Sequence, residues 1–261
     1  MKKIFIAVVT VLLVLVGCSS DKQPNISGDN KMNPLANGAF LLSKVTITED
    51  GKKTELLRDQ IKIYSNDKYM FAFDNESTGD MDVGAGNARW VNGVMVEEPL
   101  FNHDGPLSDL SFDITIEPTE KGFNQVLHGM EYDDGRVLET MVEEWNRAPG
   151  VVTPYDGLWK LEGRETNNSE LTEFSEIKMI GGGHFIILQS ALYQGEKVRN
   201  FGFGSLILKG SSKVLETGMV GSWENYSGWA TEVTMKMIDD NHLTQSFTFN
   251  GRIITQNYVR I

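Results

Sequence analysis

The sequence predicts an all-β protein: two small antiparallel β-barrels in tandem. Three observations carry that expectation. Short runs alternate apolar and polar residues, as in Ile61-Lys62-Ile63-Tyr64 and Phe112-Asp113-Ile114-Thr115-Ile116. A period of two puts successive side chains on opposite faces of a strand, one buried and one wet. Turn signals then recur at close spacing: Glu49-Asp50-Gly51, Ser65-Asn66-Asp67, Thr78-Gly79-Asp80, Asn92-Gly93, Asp133-Asp134-Gly135, Gly210-Ser211 and Asn250-Gly251. Asn-Gly pairs suit two-residue hairpin turns, where both central residues need positive φ. Finally, the chain repeats itself in order. Gly38-Ala39-Phe40 matches Gly157-Leu158-Trp159, Ile61 to Phe71 matches Ile177 to Ile187, Val83 to Gly86 matches Phe201 to Gly204, and Glu144 to Arg147 matches Asn257 to Arg260. The offset drifts by a few residues, as small loop insertions would cause.

Taken in order, the chain of 261 residues opens with Lys2 and Lys3, followed by an apolar run from Ile4 to Val16 broken only by Thr10. A membrane-crossing helix needs about 20 apolar residues, so this run has signal-peptide proportions instead. It ends in Leu15-Val16-Gly17-Cys18, which resembles the lipobox of bacterial lipoproteins. The resemblance implies removal of residues 1–17 and acylation of Cys18. Two or three acyl chains hold a protein firmly to a membrane where one does not. Ser19 and Ser20 follow the cysteine, and by resemblance to lipoprotein sorting this favours the outer membrane of the cell envelope. Cys18 is the only cysteine, so no intramolecular disulfide can form.

Residues 18–35 are polar and without hydrophobic period, and read as a lipidated tether. Domain one is expected over 36–147 and domain two over 155–261. The Pro- and Gly-containing stretch 148–154 reads as an extended linker between them. With 26 glycines and 7 prolines the composition suits hairpins better than disorder. The net charge of −12 repels phosphate backbones and argues against nucleic-acid binding.

Each copy resembles the small lipocalin-like domains found in lipoproteins of Bacteroidetes-type bacteria. The likeness rests on the Gly-x-aromatic openings at Phe40 and Trp159, the strand pair Ile61 to Phe73 followed by Val83-Gly84-Ala85-Gly86, and the closing segment Glu143 to Arg147. It implies a closed barrel end at which Arg147 packs over Phe40 and Arg260 over Trp159, a structural role. It also implies that an eight-stranded barrel could enclose one small ligand.

Residues that could carry chemistry are few. Asp74-Asn75-Glu76-Ser77-Thr78-Gly79 faintly resembles the start of a calcium loop, but Ala85 stands where the bidentate glutamate belongs, and a polar hairpin tip is the plainer reading. His103, His128, His184 and His242 show no zinc spacing, and His184 and His242 read as turn residues. No nucleophile elbow accompanies His103-Asp104. Of the adjacent pairs Glu97-Glu98 and Glu143-Glu144, one carboxylate each must face into a barrel, because neighbours on a strand point opposite ways. Trp223, Tyr226 and Trp229 fall in an expected loop, where exposed rings could stack on a sugar or line a pocket mouth, and Trp90 joins them as a candidate, with core packing the plainer reading. The expectation is a non-enzymatic protein without cofactor or metal. Its partners would be the membrane, through its acyl groups, and a small apolar, amphiphilic or glycan ligand. The alternative is a protein–protein module of an envelope complex.

Overall fold

The computed structural model describes residues 37–75, 80–131, 137–166 and 171–261. Cys18, the leader and the tether lie outside them, as do Asp133-Asp134 and most of the calcium-loop stretch. The first ten strands are β1 (Gly38–Glu49), β2 (Lys52–Leu56), β3 (Gln60–Ser65), β4 (Lys68–Asn75), β5 (Asp80–Val91), β6 (Val94–Asn102), β7 (Gly105–Pro106), β8 (Phe112–Pro118), β9 (Gly122–Glu131) and β10 (Val137–Arg147). The last eight are β11 (Gly157–Thr166), β12 (Leu171–Gly181), β13 (His184–Tyr193), β14 (Glu196–Leu208), β15 (Lys213–Gly221), β16 (Ala230–Met237), β17 (His242–Phe249) and β18 (Arg252–Arg260).

Both sets close into antiparallel barrels of eight strands. In barrel 1 the order is β1-β3-β4-β5-β6-β8-β9-β10, and β10 returns to β1 with Phe40 opposite Arg147. The short β7 pairs with β6, and β2 folds back on the outer half of β1. In barrel 2 strands β11 to β18 follow one another, and β18 closes on β11 with Trp159 opposite Arg260. Among the described residues, the turns form where the sequence places them. Asn92-Gly93 and Asn250-Gly251 have φ of 51°/86° and 50°/74°, the mirror-image turn that matches strand twist. Gly86 and Gly204 sit at register shifts. A Cβ on either would lie 2.0 Å from a carbonyl oxygen of the neighbouring strand, so only glycine lets the sheet bend there.

The apolar residues of the alternating strands do not all point into the barrels. All six residues of β3 are buried. Tyr64 joins the cluster inside barrel 1, whereas Ile61 and Ile63 belong to a second cluster with Met70, Ala72, Val83, Leu158, Met179, Ile186, Phe201 and Phe203. That cluster draws on both repeats. The outer face of β3–β4–β5 therefore packs on the outer face of β11–β14, sheet against sheet. Each large side chain buried there contributes roughly 1.5–3 kcal/mol. The face expected to be wet, carrying Lys62, is the barrel interior, because the opposite face is covered by the other barrel.

The segment joining the repeats is tied down at both ends. Ala148 N donates to Ala39 O at 2.9 Å. Asp156 accepts from Thr153 N at 3.0 Å, from Thr153 Oγ1 at 2.6 Å and from Gly182 N at 3.1 Å. A Cβ on Gly150 would lie 2.0 Å from Gly182 O, and one on Gly182 would lie 2.7 Å from Ala39 N. Contact thus brings the β12–β13 turn onto the start of β1. At the other end, Arg199 of β14 pairs with Asp104 and donates to His103 O at 3.2 Å. With like ends touching like ends, the two barrels stand side by side in the same sense.

Candidate functional site

The start of β1 and of β11 forms the closed end of each barrel. The Arg147 guanidinium lies 4.6 Å from the Phe40 ring centroid, and that of Arg260 lies 4.1 Å from Trp159. Arg260 Nη1 also donates to Asp156 O at 2.8 Å. The glycine two residues before each ring makes room for the cation: a Cβ on Gly38 would be 2.4 Å from Arg147 Nη1, and one on Gly157 would be 2.0 Å from Arg260 Nη1. A cation on an aromatic face is worth about 0.5–2 kcal/mol depending on solvation.

Above the closed end each barrel holds the same three polar residues. In barrel 1 Lys62 Nζ lies 2.6 Å from Glu97 Oε1 and donates to Gln125 Oε1 at 2.9 Å. In barrel 2 Lys178 Nζ lies 2.6 Å from Glu216 Oε1 and donates to Gln245 Oε1 at 2.9 Å. All six side chains are buried. Tyr64 OH donates to Glu97 at 2.6 Å, and its burial beside that carboxylate pushes its pKa well up.

The next layer carries a second acid and an amide. In barrel 1 Glu143 accepts from Trp145 Nε1 at 3.3 Å and pairs with Arg58 at 3.1 Å. Arg58 also donates to Gln60 at 2.5 Å. Burial raises the Glu143 carboxyl above the ordinary glutamate value, against the opposing pull of Lys62 and Arg58. In barrel 2 Glu176 accepts from Tyr258 OH, from Gln189 at 2.6 Å and from Gln256 at 3.2 Å. Gln245 links the layers by donating to Gln256 at 2.7 Å and to Tyr258 OH at 2.9 Å. Near each open end an arginine lies on a phenylalanine: Arg58 on Phe73 at 3.9 Å and Arg164 on Phe174 at 4.4 Å. Burial lowers the pKa of both guanidinium groups.

These networks run through interiors otherwise filled with rings and aliphatic side chains. Barrel 1 contains Phe40, Tyr64, Tyr69, Phe123 and Trp145, with Phe71, Trp90 and Phe112 packed against them. Barrel 2 contains Tyr155, Trp159, Phe185, Leu206, Met235 and Tyr258. Chemically the arrangement is a set of satisfied cross-braces. Each lysine spans from one wall to two others, with its charge matched by the carboxylate it touches.

Of the four aromatic candidates, Trp90 lies apart from the other three. Trp90 packs inside barrel 1, whereas Trp223, Tyr226 and Trp229 lie on the β15–β16 loop at the open end of barrel 2. Tyr226 is 7% exposed and acts as a plug. Its ring stacks between Trp223 at 5.1 Å and Trp229 at 6.1 Å. It rests on a glycine floor, where a Cβ on Gly202, Gly218 or Gly221 would come within 2.4–2.6 Å of it. Its buried hydroxyl has no hydrogen-bond partner among the described residues.

A pocket of about 390 Å³ remains at the rim of barrel 2, lined by Arg164, Thr166, Leu171, Tyr193, Phe249, Asn250, Arg252 and Ile254. A second, of about 440 Å³, is an open surface groove bordered by Ser43, Thr119, Lys121, Asn124 and Trp145. Of the histidines, His103 lies in the β6–β7 turn at the inter-barrel contact, and His242 sits 2.9 Å from Asp239. His184 and His242 depart from the turn reading, opening β13 and β17; His184 is also buried, and burial lowers its pKa. Glu97 and Glu143 are the inward members of their pairs. Glu98 and Glu144 face out, to Arg89 and to Lys44. Among the described residues no group of three or more His, Cys, Asp or Glu is placed to hold a metal ion.

Sequence reasoning missed the Lys-Glu-Gln sets. The signal was present: Lys62, Glu97 and Gln125 recur as Lys178, Glu216 and Gln245 at offsets close to that of the repeat itself. No protein-family model matches the chain, and no curated protein is significantly similar to it.

Proposed function

We propose that this protein is a lipid-anchored, non-catalytic envelope protein whose joined barrels form a rigid scaffold, with contacts made by its outer surfaces. The observation that supports this best is the filling of both barrels by their own aromatic rings and charge-matched networks. A ligand entering either one would have to displace buried side chains and break ion pairs. The shared apolar core between the barrels supports the scaffold reading, since it holds them in one orientation. Anchoring rests on the resemblance of Leu15-Val16-Gly17-Cys18 to a lipobox.

Two measurements test it. Native mass spectrometry of protein purified from its host should give the mass of the acylated chain alone; a small molecule retained per barrel overturns the scaffold reading. Metabolic labelling with a radioactive fatty acid should mark the wild-type chain and leave Cys18→Ser unlabelled, and a wild-type chain that takes up no label overturns the anchor.

The rim pocket of barrel 2 favours a second reading. It sets Arg164 and Arg252 beside Tyr193, Phe249 and Ile254, a combination suited to an anionic amphiphile. Binding of a fluorescent fatty acid that is lost on Phe249→Ala would support this reading over the first.

A further inference from the structure

We propose that the free edge of β2 is a self-recognition surface, where a second copy of this chain adds its own β2 in antiparallel register about Thr54. The proposal rests on the reading that the outer surface carries the contacts, and it names the partner. Both barrels are closed, so the eight strands of each have neighbours on both sides; among the described residues β2 pairs only with β1, and the two-residue β7 only with β6. All five of its residues are exposed. An edge of this kind is a template for another strand.

The backbone groups facing out are fixed by the hairpin. Asp50 and Gly51 form a two-residue turn with φ of 49° and 69°, flanked by the pair Glu49–Lys52. The residues flanking such a turn form a hydrogen-bonded pair. Lys52, Thr54 and Leu56 therefore direct their N–H and C=O groups to β1, and Lys53 and Glu55 turn theirs to the open edge. Antiparallel pairing about Thr54 then makes both Lys53–Glu55 matches the hydrogen-bonded pairs and sets Thr54 against Thr54 as the closer, non-hydrogen-bonded pair.

Charge selects this register. About Thr54, each Lys53 faces a Glu55 of the other copy, and the aliphatic stem of each Lys52 faces a Leu56. Centring on Lys53 would set lysine against lysine, and centring on Glu55 would set glutamate against glutamate. Lysines at an edge normally repel a second strand; here the glutamate two residues on converts that repulsion into attraction in one register only. The pairing also extends a row already present on the outer face. Glu144 lies 3.0 Å from Lys44, and Lys44 lies 3.2 Å from Glu55. Lys53 of the second copy would be the next charge of alternating sign.

The test is disulfide capture in the full-length chain carrying Cys18→Ser, so that Thr54→Cys supplies the only thiol. Cβ atoms of a non-hydrogen-bonded pair lie about 4.5–5.5 Å apart, close enough for a disulfide after small adjustment. The control is Thr234→Cys in the same background, exposed on β16 between two paired neighbours. Under mild oxidation Thr54→Cys should give covalent dimer roughly tenfold faster than the control, because pairing raises the local thiol concentration. Lys53→Glu and Glu55→Lys should each return the rate to the control, and the two together should restore it. Melting curves matching the parent verify folding. Capture no faster than the control, or capture indifferent to charge reversal, overturns the proposal. A ligand found inside a barrel would overturn the scaffold reading and leave the edge pairing standing, so the two fail separately.

Discussion

Barrel 1 carries Gln60 on β3 and Glu143 on β10 in the layer above its lysine, whereas barrel 2 carries Glu176 and Gln256 at the corresponding strand positions. The acid and the amide have exchanged strands. The arginine has moved too: Arg58 comes from the segment before β3, and Arg164 from β11. Yet each interior holds two cations and two carboxylates, Lys62, Arg58, Glu97 and Glu143 in one and Lys178, Arg164, Glu176 and Glu216 in the other. What both copies share is charge balance, not residue placement. A buried charge without a partner costs several kcal/mol, so balance is the stronger constraint, and the route by which it is met can drift.

The lysines are where that balance is most exposed to change. Lys62→Met should leave Glu97 buried and uncompensated, and Lys178→Met should do the same to Glu216. A loss of about 3–5 kcal/mol is expected from each. Changing Lys178 to Met together with Glu216 to Leu should recover most of that loss, since an apolar pair of similar volume is often no worse than a buried ion pair. Denaturant melts of the three variants check this. Both lysine variants should unfold in a single transition, because the barrels share an apolar core. Two separate transitions would break the picture of one rigid unit.

The contact between barrels comes next in size. Gly182 has φ of +57° and its Cβ direction points at Ala39 N. Gly195 has φ of +85° with open space around it. Alanine at either position costs about 1–2 kcal/mol of left-handed strain. Only Gly182→Ala also collides with barrel 1, for a further 1–3 kcal/mol or so. The difference between the two melting midpoints isolates the docking contact.

That contact also explains what the sequence left illegible. Strand alternation, turn pairs and the internal repeat were enough to predict two antiparallel barrels, because each reports on local geometry. Alternation separates the two faces of a strand but does not say what covers them. Ile61 and Ile63 looked like a barrel core with Lys62 in water, yet both faces are buried, the apolar one by the neighbouring barrel. Lysine could go inward because Glu97 and Gln125 arrive from β6 and β9 to satisfy it, and nothing local to Lys62 announces them. Tyr226 was only half legible. An aromatic in a Gly- and Asn-containing loop left a pocket mouth open beside the plainer reading of core packing, and the glycine floor that receives it comes from β14 and β15.

Glu143 tests the exchanged acid through pH. Its folded pKa is raised by burial. Its contribution to stability is therefore fully present below the ordinary glutamate value and is lost as pH rises through the folded value. Relative to Glu143→Gln, the wild type should lose stability as pH increases from about 4.5 upward. At neutral pH the single variant also gives up a charged hydrogen bond from Arg58, about 1.5–3 kcal/mol. Adding Gln60→Glu reproduces the arrangement of barrel 2 and should return part of it. A flat difference between wild type and Glu143→Gln across this range would remove burial as the controlling influence on this carboxyl.

The smallest expected effect separates two buried tyrosines of barrel 2. Tyr258 OH donates to Glu176 and accepts from Gln245, so Tyr258→Phe leaves two buried polar groups short of a partner and should cost about 1–3 kcal/mol. Tyr226 OH is equally removed from solvent but has no partner among the described residues. Its desolvation has already been suffered without a bond in return. Tyr226→Phe keeps the ring on Gly202, Gly218 and Gly221 and removes only that hydroxyl, so stability should hold or rise, by up to about 1 kcal/mol. If Tyr226→Phe instead destabilises the protein as much as Tyr258→Phe, the hydroxyl has a partner in solution, and the open end of barrel 2 holds a bound water or ligand beneath its plug.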